Sequence, residues 1–356
     1  MTDARREAPP NSDLPVTRET VEWAYRLVLG RPPESEEAVR AHLSFPNVAA
    51  LREQFVNSPE FARGYGHRAE SIPRPLLEGF SLWRGSAEPD SVRNFLGVRT
   101  RCAYLPEPYS GAGGTVEAVP GSQWSALHDV GEWTGLLSAV AEARTRFVIA
   151  ELGAGWGPWV VAGAVAARQR GIREIRLAAV EADPGHLRFL RQHFADNGLN
   201  PDDHLILQAA AGAYDGVARF PRLENPVLEW GAGALFEGRG QADGFTVEAP
   251  REWIEVPCVS LATLLQRLPP VDLIHVDIQG SELEVITAAL APLGERVRRL
   301  VIGTHGRSIE AGLLEILAKH GWKLEIEKGC VLAQDGNSWK LVGDGLQVWR
   351  NPQCCV

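Results

Sequence analysis

The chain has 356 residues, 45% hydrophobic and 23% charged, which excludes a disordered chain, and at roughly 150 residues per domain its length predicts two domains. Its 36 basic and 45 acidic residues give a net charge of −9, the wrong sign for a broad nucleic-acid-binding face. No run of about 18 uncharged apolar residues occurs, and no apolar stretch follows the amino-terminal arginines, so we expect a cytoplasmic protein without a membrane span.

The amino-terminal part of the chain has the pattern of a small helical domain. Residues 1–15 are polar and proline-bearing, and we expect a flexible arm there. From Thr17, apolar residues recur at three- and four-residue spacing in three stretches, which predicts an all-helical domain over 16–66. Within it, the runs 25–33 (YRLVLGRPP) and 58–61 (SPEF) resemble the short helical domain DUF4214, which often lies beside glycan-related bacterial modules. This domain is interpreted either as a module that recruits a protein partner or as a helical appendage.

A proline- and glycine-rich segment, 67–124, follows the helical domain. It has too many aromatic residues for a free linker, so we predict an ordered connector that packs on the next domain. Its loop 110–114 (SGAGG) is interpreted either as the hinge of a lid over a site or as a flexible connection.

Strands and helices alternate from about Gly131 to the end of the chain, which predicts a second domain over 125–356. Strands are predicted at 147–152, 175–180, 205–207, 271–278, 300–302, 322–327 and 345–350. Helices between most of these strands are typical of βαβ units and a parallel sheet. No helix separates the last two strands, so we expect them to pair as an antiparallel hairpin. The predicted fold class is therefore α/β, with a Rossmann-like, seven-stranded, mostly parallel sheet.

Two local predictions complete this outline. The region 210–260 is expected to be irregular, with short hairpin pieces near 218–220 and 246–247. Ser281 and Glu284 have the spacing of a capping box at the start of a helix.

A glycine-rich turn, 151–157 (ELGAGWG), joins the first predicted strand of this domain to a helix that begins at Pro158. Such a turn lets a nucleotide-like ligand approach the backbone at the carboxyl edge of the sheet. The G-x-G-x-G spacing misses the dinucleotide fingerprint, and Glu151 would repel a pyrophosphate but suits a cationic ligand. S-adenosylmethionine has a sulfonium, an amino group and no phosphate, so the pattern favours it over NAD. The predicted contacts in this turn are Glu151, Gly153, Ala154, Gly155, Trp156 and Gly157.

A second carboxylate follows the next strand, in the run 180–184 (VEADP). Glu181 stands where a carboxylate accepts hydrogen bonds from ribose hydroxyls in nucleotide-binding folds. Asp183 is interpreted as the N-cap of the following helix. Ala182 and Ala210 complete the predicted cofactor contacts, together with Asp277 of the third motif.

The third motif is 271–282 (VDLIHVDIQGSE), at the end of the fourth predicted strand. With the glycine turn, with 180–184, and with 303–305 (GTH) after the next strand, it resembles the FkbM family of methyltransferases over roughly 125–350. The resemblance implies a class I methyltransferase fold, whose sheet has seven strands and a terminal hairpin. It also implies an S-adenosylmethionine-dependent O-methyltransferase that acts on hydroxyls of polyketides, sugars or other glycan-type acceptors.

Methyl transfer to a hydroxyl group needs a residue that removes the proton. His305 ends the strand after Asp277 and is the candidate base, because histidine titrates near neutral pH. Asp277 is the alternative base, or the group that orients His305 or the acceptor. Glu282 is the third catalytic candidate, although a carboxylate in the first turn of a helix also has a purely structural explanation. His275, inside a strand, is interpreted as a core histidine.

One position departs from the family pattern, because Gln279 stands where the family usually has glutamate. Carboxylates at a strand end could hold a divalent metal. With an amide in this cluster a metal is allowed but not favoured, and no ligands are assigned. The loop 230–233 (WGAG) is the predicted place where acceptor specificity is set.

Two functions of different classes remain open. In the first, the chain is an O-methyltransferase for a small-molecule or glycan acceptor. In the second, it is a catalytically inactive, methyltransferase-like scaffold that its helical domain recruits to an assembly. The intact glycine turn, Glu181, Asp277 and His305 favour the first function. No nucleic-acid partner is expected, and homo-oligomerisation is left open.

Overall fold

The structure is a computed structural model that describes residues 14–28, 31–56, 58, 71–106, 109–120, 128–236, 252–335 and 338–354. The chain divides into two compact units, Met1–Arg68 and Ala69–Val356. Most of the predicted arm 1–15, the residues 59–61 and the hairpin piece at 246–247 lie outside the described residues. In the part of the chain that is described, no helix combines the length and the hydropathy needed to cross a membrane.

The first unit is helical in its described part, as the apolar spacing predicts. Its helices there are α1 (Arg18–Val28), α2 (Glu36–His42) and α3 (Val48–Val56). Helix α2 begins after Ser35, whose hydroxyl accepts a hydrogen bond from the Ala38 amide and so satisfies one of the unpaired N–H groups of the helix start. The buried rings of Tyr25 and Phe55 pack edge to face, with centroids 4.9 Å apart. One apolar stripe per helix thus forms a small core.

The second unit begins with a short helix, α4 (Arg74–Leu77), and a hairpin of β1 (Ser91–Arg93) and β2 (Arg99–Arg101). Hydrogen bonds join this hairpin to the carboxyl-terminal end of the helix Pro184–Asp196. The Arg101 guanidinium donates to Asp196 at 2.6 Å, and the Arg99 amide donates to Asn197 at 2.9 Å. The hairpin of segment 67–124 therefore packs on the α/β domain, whereas the role of the segment as an ordered connector or a lid stays a prediction.

The main sheet of the second unit has seven strands among the described residues, which confirms the predicted α/β fold class. In spatial order they are β11 (Lys323–Lys328), β14 (Gly345–Arg350), β10 (Arg299–Thr304), β9 (Leu273–Val276), β3 (Arg146–Leu152), β4 (Glu174–Glu181) and β5 (Leu205–Gln208). Neighbouring strands from β10 to β5 are parallel, whereas β14 is antiparallel to both β10 and β11. The predicted antiparallel pairing of the last strands is thus confirmed.

Helices cover both faces of this sheet. They are α5 (Val130–Glu142), α6 (Pro158–Gln169), α7 (Pro184–Asp196), α8 (Leu261–Gln266), α9 (Glu282–Ala288), α10 (Leu290–Arg296) and α11 (Arg307–Lys319). Successive residues of β3 belong to different cores: Phe147 and Ile149 pack on one face, and Val148 and Ala150 on the other. This alternation is expected of a strand that is buried on both sides, and it explains the continuous apolar run in the sequence.

The order of the strands creates a crevice at one edge of the sheet. From β3 the chain continues through α6 to β4 on one side, and from β9 it continues through α9 and α10 to β10 on the other. Ligands of open α/β sheets bind where neighbouring strands diverge in this way, outside the carboxyl ends of the strands. A ligand-binding site is therefore expected at the carboxyl ends of β3 and β9.

Two local predictions differ from the structure, and the confirmed pairing of the last strands contains an insertion. The region 210–260 is only partly irregular where it is described: residues 222–236 form no helix or strand, but β6 (Ala210–Gly212), β7 (Gly216–Pro221) and β8 (Trp253–Ser260) form a second sheet, of which only the piece at 218–220 was expected as strand. Ser281 makes no side-chain cap hydrogen bond, so the predicted capping box is not formed. The last two strands of the main sheet pair as predicted, but a hairpin of β12 (Val331–Asp335) and β13 (Ser338–Gly343) lies between them in the sequence.

Candidate functional site

A cavity of about 990 Å³ opens at the carboxyl ends of β3 and β9. Its wall contains most of the residues that the sequence analysis assigns to the cofactor. These are Glu151, Gly153, Ala154, Gly155, Trp156, Glu181, Ala182, Ala210 and Asp277. Three other predicted site residues, Gly157, Glu282 and His305, are not part of the wall.

The glycine turn needs its glycines both for backbone conformation and for space. Gly153, Gly155 and Gly157 have φ angles of +71°, +54° and +72°, which favour glycine. A Cβ on Gly153 would lie only 1.8 Å from the carbonyl oxygen of Asp277, so the turn packs directly on the end of β9. Gly157 is the N-cap of α6, which begins at Pro158 as predicted. Its contribution is therefore to the turn and not to the cavity wall.

Glu151 lies near the end of β3 and is 1% exposed. Its carboxyl oxygens accept hydrogen bonds from the Val160 amide at 2.9 Å and the Trp159 amide at 3.4 Å, in the first turn of α6. Burial raises the pKa of the Glu151 carboxyl to about 8. A cation in the cavity would favour the ionised form, so this residue fits a ligand with an ammonium or sulfonium group.

Glu181, at the end of β4, is oriented by backbone amides. It accepts hydrogen bonds from the Gly155 amide at 2.7 Å and the Asp183 amide at 2.8 Å. Asp183 caps α7 by accepting from the His186 amide at 2.8 Å, which confirms its predicted structural role. A carboxylate has about four lone-pair positions, so Glu181 retains acceptor capacity for the hydroxyl groups of a ligand.

Aromatic rings form one side of the cavity. Trp230 stacks on His186, with ring centroids 4.0 Å apart and an interplanar angle of 9°. Its edge meets Trp156 at a centroid distance of 4.6 Å. A Cβ on Gly155 would lie 3.3 Å from the Trp230 ring, so this ring covers the glycine turn. The loop 230–233 thus lies beside the predicted cofactor residues.

Asp277 follows β9, and its side chain, 39% exposed, reaches the cavity. Gln279, with a φ angle of +54°, donates a hydrogen bond from its side-chain amide to Asp277 Oδ1 at 2.8 Å. His305 Nε2 lies 3.3 Å from the same oxygen. Burial raises the pKa of the Asp277 carboxyl. Asp277 is therefore the predicted catalytic residue that a molecule in the cavity can touch.

His305 lies behind Asp277 and is 3% exposed. Its Nδ1 is 2.8 Å from Glu282 Oε1. Burial alone would lower the pKa of His305, but the hydrogen bond with Glu282 and the charge of Asp277 raise it to about 9. The imidazole therefore carries a proton at neutral pH. This arrangement does not favour the prediction that His305 is the base.

Glu282 is fully buried at the start of α9. Its Oε1 accepts a hydrogen bond from the Gly280 amide at 2.9 Å in addition to its contact with His305. The side chain thus joins the turn after β9 to the imidazole behind Asp277. Because Glu282 does not reach the cavity, its structural explanation is favoured over a catalytic one.

The side chains around Asp277 are also the ones that could bind a divalent metal ion. Among the described residues, no group of three or more His, Cys, Asp or Glu side chains could hold a metal ion. The amide of Gln279 donates to Asp277 at 2.8 Å, where a glutamate would bring a second carboxylate. The contact is satisfied by a hydrogen bond and needs no cation between the two side chains.

Sequence reasoning missed several residues of the cavity wall, among them His275 and Glu132. His275 Nε2 is 3.0 Å from Glu132 Oε1, and the imidazole stacks on Trp159 with a centroid distance of 5.2 Å. The prediction of a core histidine is right about burial, since His275 is 3% exposed, but it overlooks the cavity. The spacing contained a signal, because residues two apart on a strand point to the same side, and His275 precedes Asp277 by two.

The position of Glu132 also had a signal in the sequence. Asp129 and Glu132 form a capping box at the start of α5, in which the Glu132 carboxylate accepts from the Asp129 amide at 2.8 Å. The pattern Asp-x-x-Glu before an apolar run predicts this arrangement. That Glu132 also reaches a histidine on β9 depends on how α5 packs on the sheet, which spacing does not reveal.

Comparison with known proteins gives a family. Residues 161–321 match the model of the methyltransferase FkbM domain. A relative from Jannaschia sp. (strain CCS1), described as "Putative methyltransferase", is 34% identical over 281 residues, which cover 78% of this chain and 98% of the relative.

Two solved structures are similar to parts of this chain at low identity. Precorrin-6y C5,15-methyltransferase from Geobacter metallireducens GS-15 is 14% identical with a TM-score of 0.36, over 64% of this chain and 90% of that one. Ribosomal protein L11 methylase from Lactobacillus delbrueckii subsp. bulgaricus is 12% identical with a TM-score of 0.32, over 69% of this chain and 88% of that one. These similarities carry no information about the substrate. The near full-length match to the Jannaschia relative and the FkbM match show that the chain belongs to the methyltransferase family and contains an FkbM methyltransferase domain.

Proposed function

We propose that the protein is an S-adenosylmethionine-dependent O-methyltransferase that acts on a hydroxyl group of a sugar, glycan or secondary-metabolite acceptor. The observation that supports this most strongly is the position of the Asp277 carboxyl group. It lies in the wall of the same cavity that Glu151, Glu181 and the glycine turn line. A methyl donor and a proton acceptor can therefore meet in one space, as in-line transfer to a hydroxyl requires.

The residues around the cavity fit the proposed cofactor. At Gly153 a Cβ would collide with the end of β9, so the backbone itself faces the cavity there. Glu181 has acceptor capacity for two hydroxyl groups, and buried Glu151 suits an ammonium group. When bound, the cofactor supplies a methyl group on a positively charged sulfur. The residues of the chain hold and orient the cofactor, limit the access of water, and remove a proton from the acceptor.

Asp277 is the proposed base. Burial raises the pKa of its carboxyl, which brings the group closer to neutral pH, where a base is most effective. The amide of Gln279 and the imidazole of His305 face Oδ1 and restrict the orientation of the carboxyl group. His305 and Glu282 are positioning residues in this proposal, because they act through Asp277 and do not reach the cavity.

The proposed class of acceptor rests on the mixed character of the cavity wall. Trp156 and Trp230 offer apolar ring faces, whereas Lys328 and Asp344 offer charged groups for hydrogen bonds. A sugar presents apolar C–H faces together with hydroxyl groups, so such a wall suits it. A hydroxylated secondary metabolite has the same combination. The wall therefore supports hydroxyl-bearing acceptors as a class.

Assignments outside the cavity rest on the sequence. The first unit is proposed to be a DUF4214-like module, on the resemblance of its residues, with a protein partner as the proposed role. A cytoplasmic location stays a prediction. No described residue favours the inactive-scaffold function, since Glu151, Glu181 and Asp277 are all in the cavity wall.

Binding and transfer measurements on the full-length protein test the proposal. Calorimetry should show binding of S-adenosylmethionine, and label from its methyl group should appear on hydroxyl compounds chosen from the genomic neighbourhood. Absence of binding at millimolar cofactor would contradict the proposal. Label on nitrogen or carbon atoms only would leave the cofactor assignment in place but overturn O-methylation.

A further inference from the structure

Two buried side-chain atoms of residues in the cavity wall lack a hydrogen-bond partner among the described residues, Nε1 of Trp230 and Nδ1 of His275. His275 Nε2 is bound to Glu132, but Nδ1 of the same ring is buried and makes no hydrogen bond. Buried polar atoms nearly always have a partner, and an exception calls for an explanation. Because His275 lines the cavity, a bound molecule is the natural source of the missing partner.

Glu132 determines which kind of partner Nδ1 needs. The carboxylate accepts from Nε2, so this nitrogen carries a proton. Burial alone would lower the pKa of His275, but the hydrogen bond with Glu132 and the charges of Glu132, Glu151 and Asp277 raise it. In the protonated ring both nitrogens donate, and the stacked Trp159 ring suits a cation. In that protonated form Nδ1–H needs an acceptor, and an anion is the strongest one.

The location of His275 indicates which anion this is. His275 and Glu151 are direct neighbours across β9 and β3. Adjacent strands lie about 4.8 Å apart, and paired residues project from the same face of the sheet. Both side chains line the cavity, so the imidazole of His275, which can donate to an anion, lies beside the carboxyl group of Glu151, which can accept from a cation. An α-amino-acid group carries an ammonium and a carboxylate on one carbon and matches this pair.

We propose that His275 is a cofactor-binding residue, whose Nδ1–H donates to the carboxylate of the amino-acid end of S-adenosylmethionine while Glu151 accepts from its ammonium group. The inference rests on the proposed function and deepens it. Glu132 acts through His275 and is a positioning residue. Asp277, two residues further along the same strand face, lies nearer the sheet edge and remains the group for the acceptor.

The test compares two ligands that differ by one carboxylate. Calorimetry on the full-length protein measures Kd for S-adenosylmethionine and for decarboxylated S-adenosylmethionine. Wild type should bind the first about 10- to 100-fold more tightly, the effect of one charge-assisted hydrogen bond. His275→Leu removes the donor and should reduce this ratio to less than about threefold, and His275→Gln, with a neutral donor, should give an intermediate ratio. Glu132→Gln should also reduce the ratio.

The controls separate this inference from the function on which it rests. His204→Gln changes a half-buried histidine that does not line the cavity, and it should keep the wild-type ratio. Equal affinity of wild type for the two ligands would overturn the inference, as would a folded His275→Leu variant with the full ratio. If His275→Leu does not fold, the inference is tested by the ratio of the two Kd values in wild type and in His275→Gln. Failure of the proposed function is distinct: wild type would then bind neither ligand, nor 5′-methylthioadenosine.

Discussion

At the scale of single residues, the site depends on how buried charges compensate one another. Asp277 faces the cavity, and the protonated His305 behind it stands between the carboxyl groups of Asp277 and Glu282. Removing such an imidazole from water is unfavourable, but two carboxylates outweigh the loss of hydration and raise the pKa of His305 to about 9. The protonated histidine therefore stabilises the folded state as well as the orientation of Asp277.

The His305 cluster predicts how stability depends on pH. The folded pKa of about 9 lies above the ordinary value of 6.5, so the stabilisation is complete below 6.5 and is lost as the pH rises through 9. Urea unfolding of wild type between pH 6.5 and 9.5 should show a loss of up to about 3 kcal/mol, which is reduced in His305→Gln. The variant His320→Gln, at an exposed position, should follow wild type. An equal pH dependence of His305→Gln and wild type would contradict the assignment.

The residues of this cluster could be predicted from the sequence, but their roles could not. Asp277 and His305 follow neighbouring parallel strands, so pattern alone brings them to the same edge of the sheet. Which of them touches a ligand depends on side-chain direction. Whether the imidazole can act as a base depends on a proton that Glu282 and Asp277 hold there. His275 was underestimated for the same reason, since its partner Glu132 comes from a helix far away in the sequence.

At the scale of elements, the glycine turn is the feature that joins the two central strands of the site. Gly153 has a φ angle of +71° and no room for a Cβ next to Asp277, whereas Gly171, after α6, has a φ angle of +76° and open space around it. Both glycines have a positive φ angle, but only Gly153 is packed closely against another part of the chain. They therefore allow the contribution of the close contact to be measured separately.

Alanine substitutions at these two glycines should have unequal effects. Gly171→Ala should reduce the free energy of unfolding by about 1 kcal/mol, the cost of a positive φ. Gly153→Ala should reduce it by about 3 kcal/mol or more and weaken binding of S-adenosylhomocysteine, because the turn must move away from β9. Chemical unfolding and calorimetry measure both quantities. Equal effects of the two substitutions would show that the contact with Asp277 contributes nothing.

The elements of the main sheet follow from apolar periodicity, whereas the additions to it do not. β3 and β4 are found within one residue of their predicted bounds, because each carries a strong apolar pattern. The second sheet escaped prediction because β7 and β8 pair across a long separation in sequence. The hairpin of β12 and β13 is short and largely exposed, so it lacks an apolar pattern that would identify it.

At the scale of the whole molecule, the two compact units have separate cores. The core of the first unit is small and centred on Tyr25 and Phe55. Among the residues that the structure describes, all those that line the cavity belong to the second unit, Ala69–Val356. The length of the chain predicted two domains, and the net charge of −9 is in keeping with a cavity whose wall contains the carboxyl groups of Glu151, Glu181 and Asp277.

Removal of the first unit should leave cofactor binding intact. A chain that begins at Ala69 retains every described residue that lines the cavity, so its Kd for S-adenosylhomocysteine should lie within about threefold of the full-length value. Calorimetry measures this, with circular dichroism to verify folding. A folded truncated chain whose affinity falls more than about tenfold would show that residues before 69 take part in the site.

The central claim is that Asp277 takes the proton from a hydroxyl acceptor, and the substitution Asp277→Asn tests it most directly. It preserves the shape of the side chain and an oxygen for the Gln279 amide but removes the base. Methyl transfer should fall by about 10²- to 10⁴-fold, while Kd for S-adenosylhomocysteine changes less than about threefold. Asp202→Asn, an exposed carboxylate away from the cavity, should keep wild-type turnover. An Asp277→Asn variant that transfers methyl groups at the wild-type rate would contradict the account.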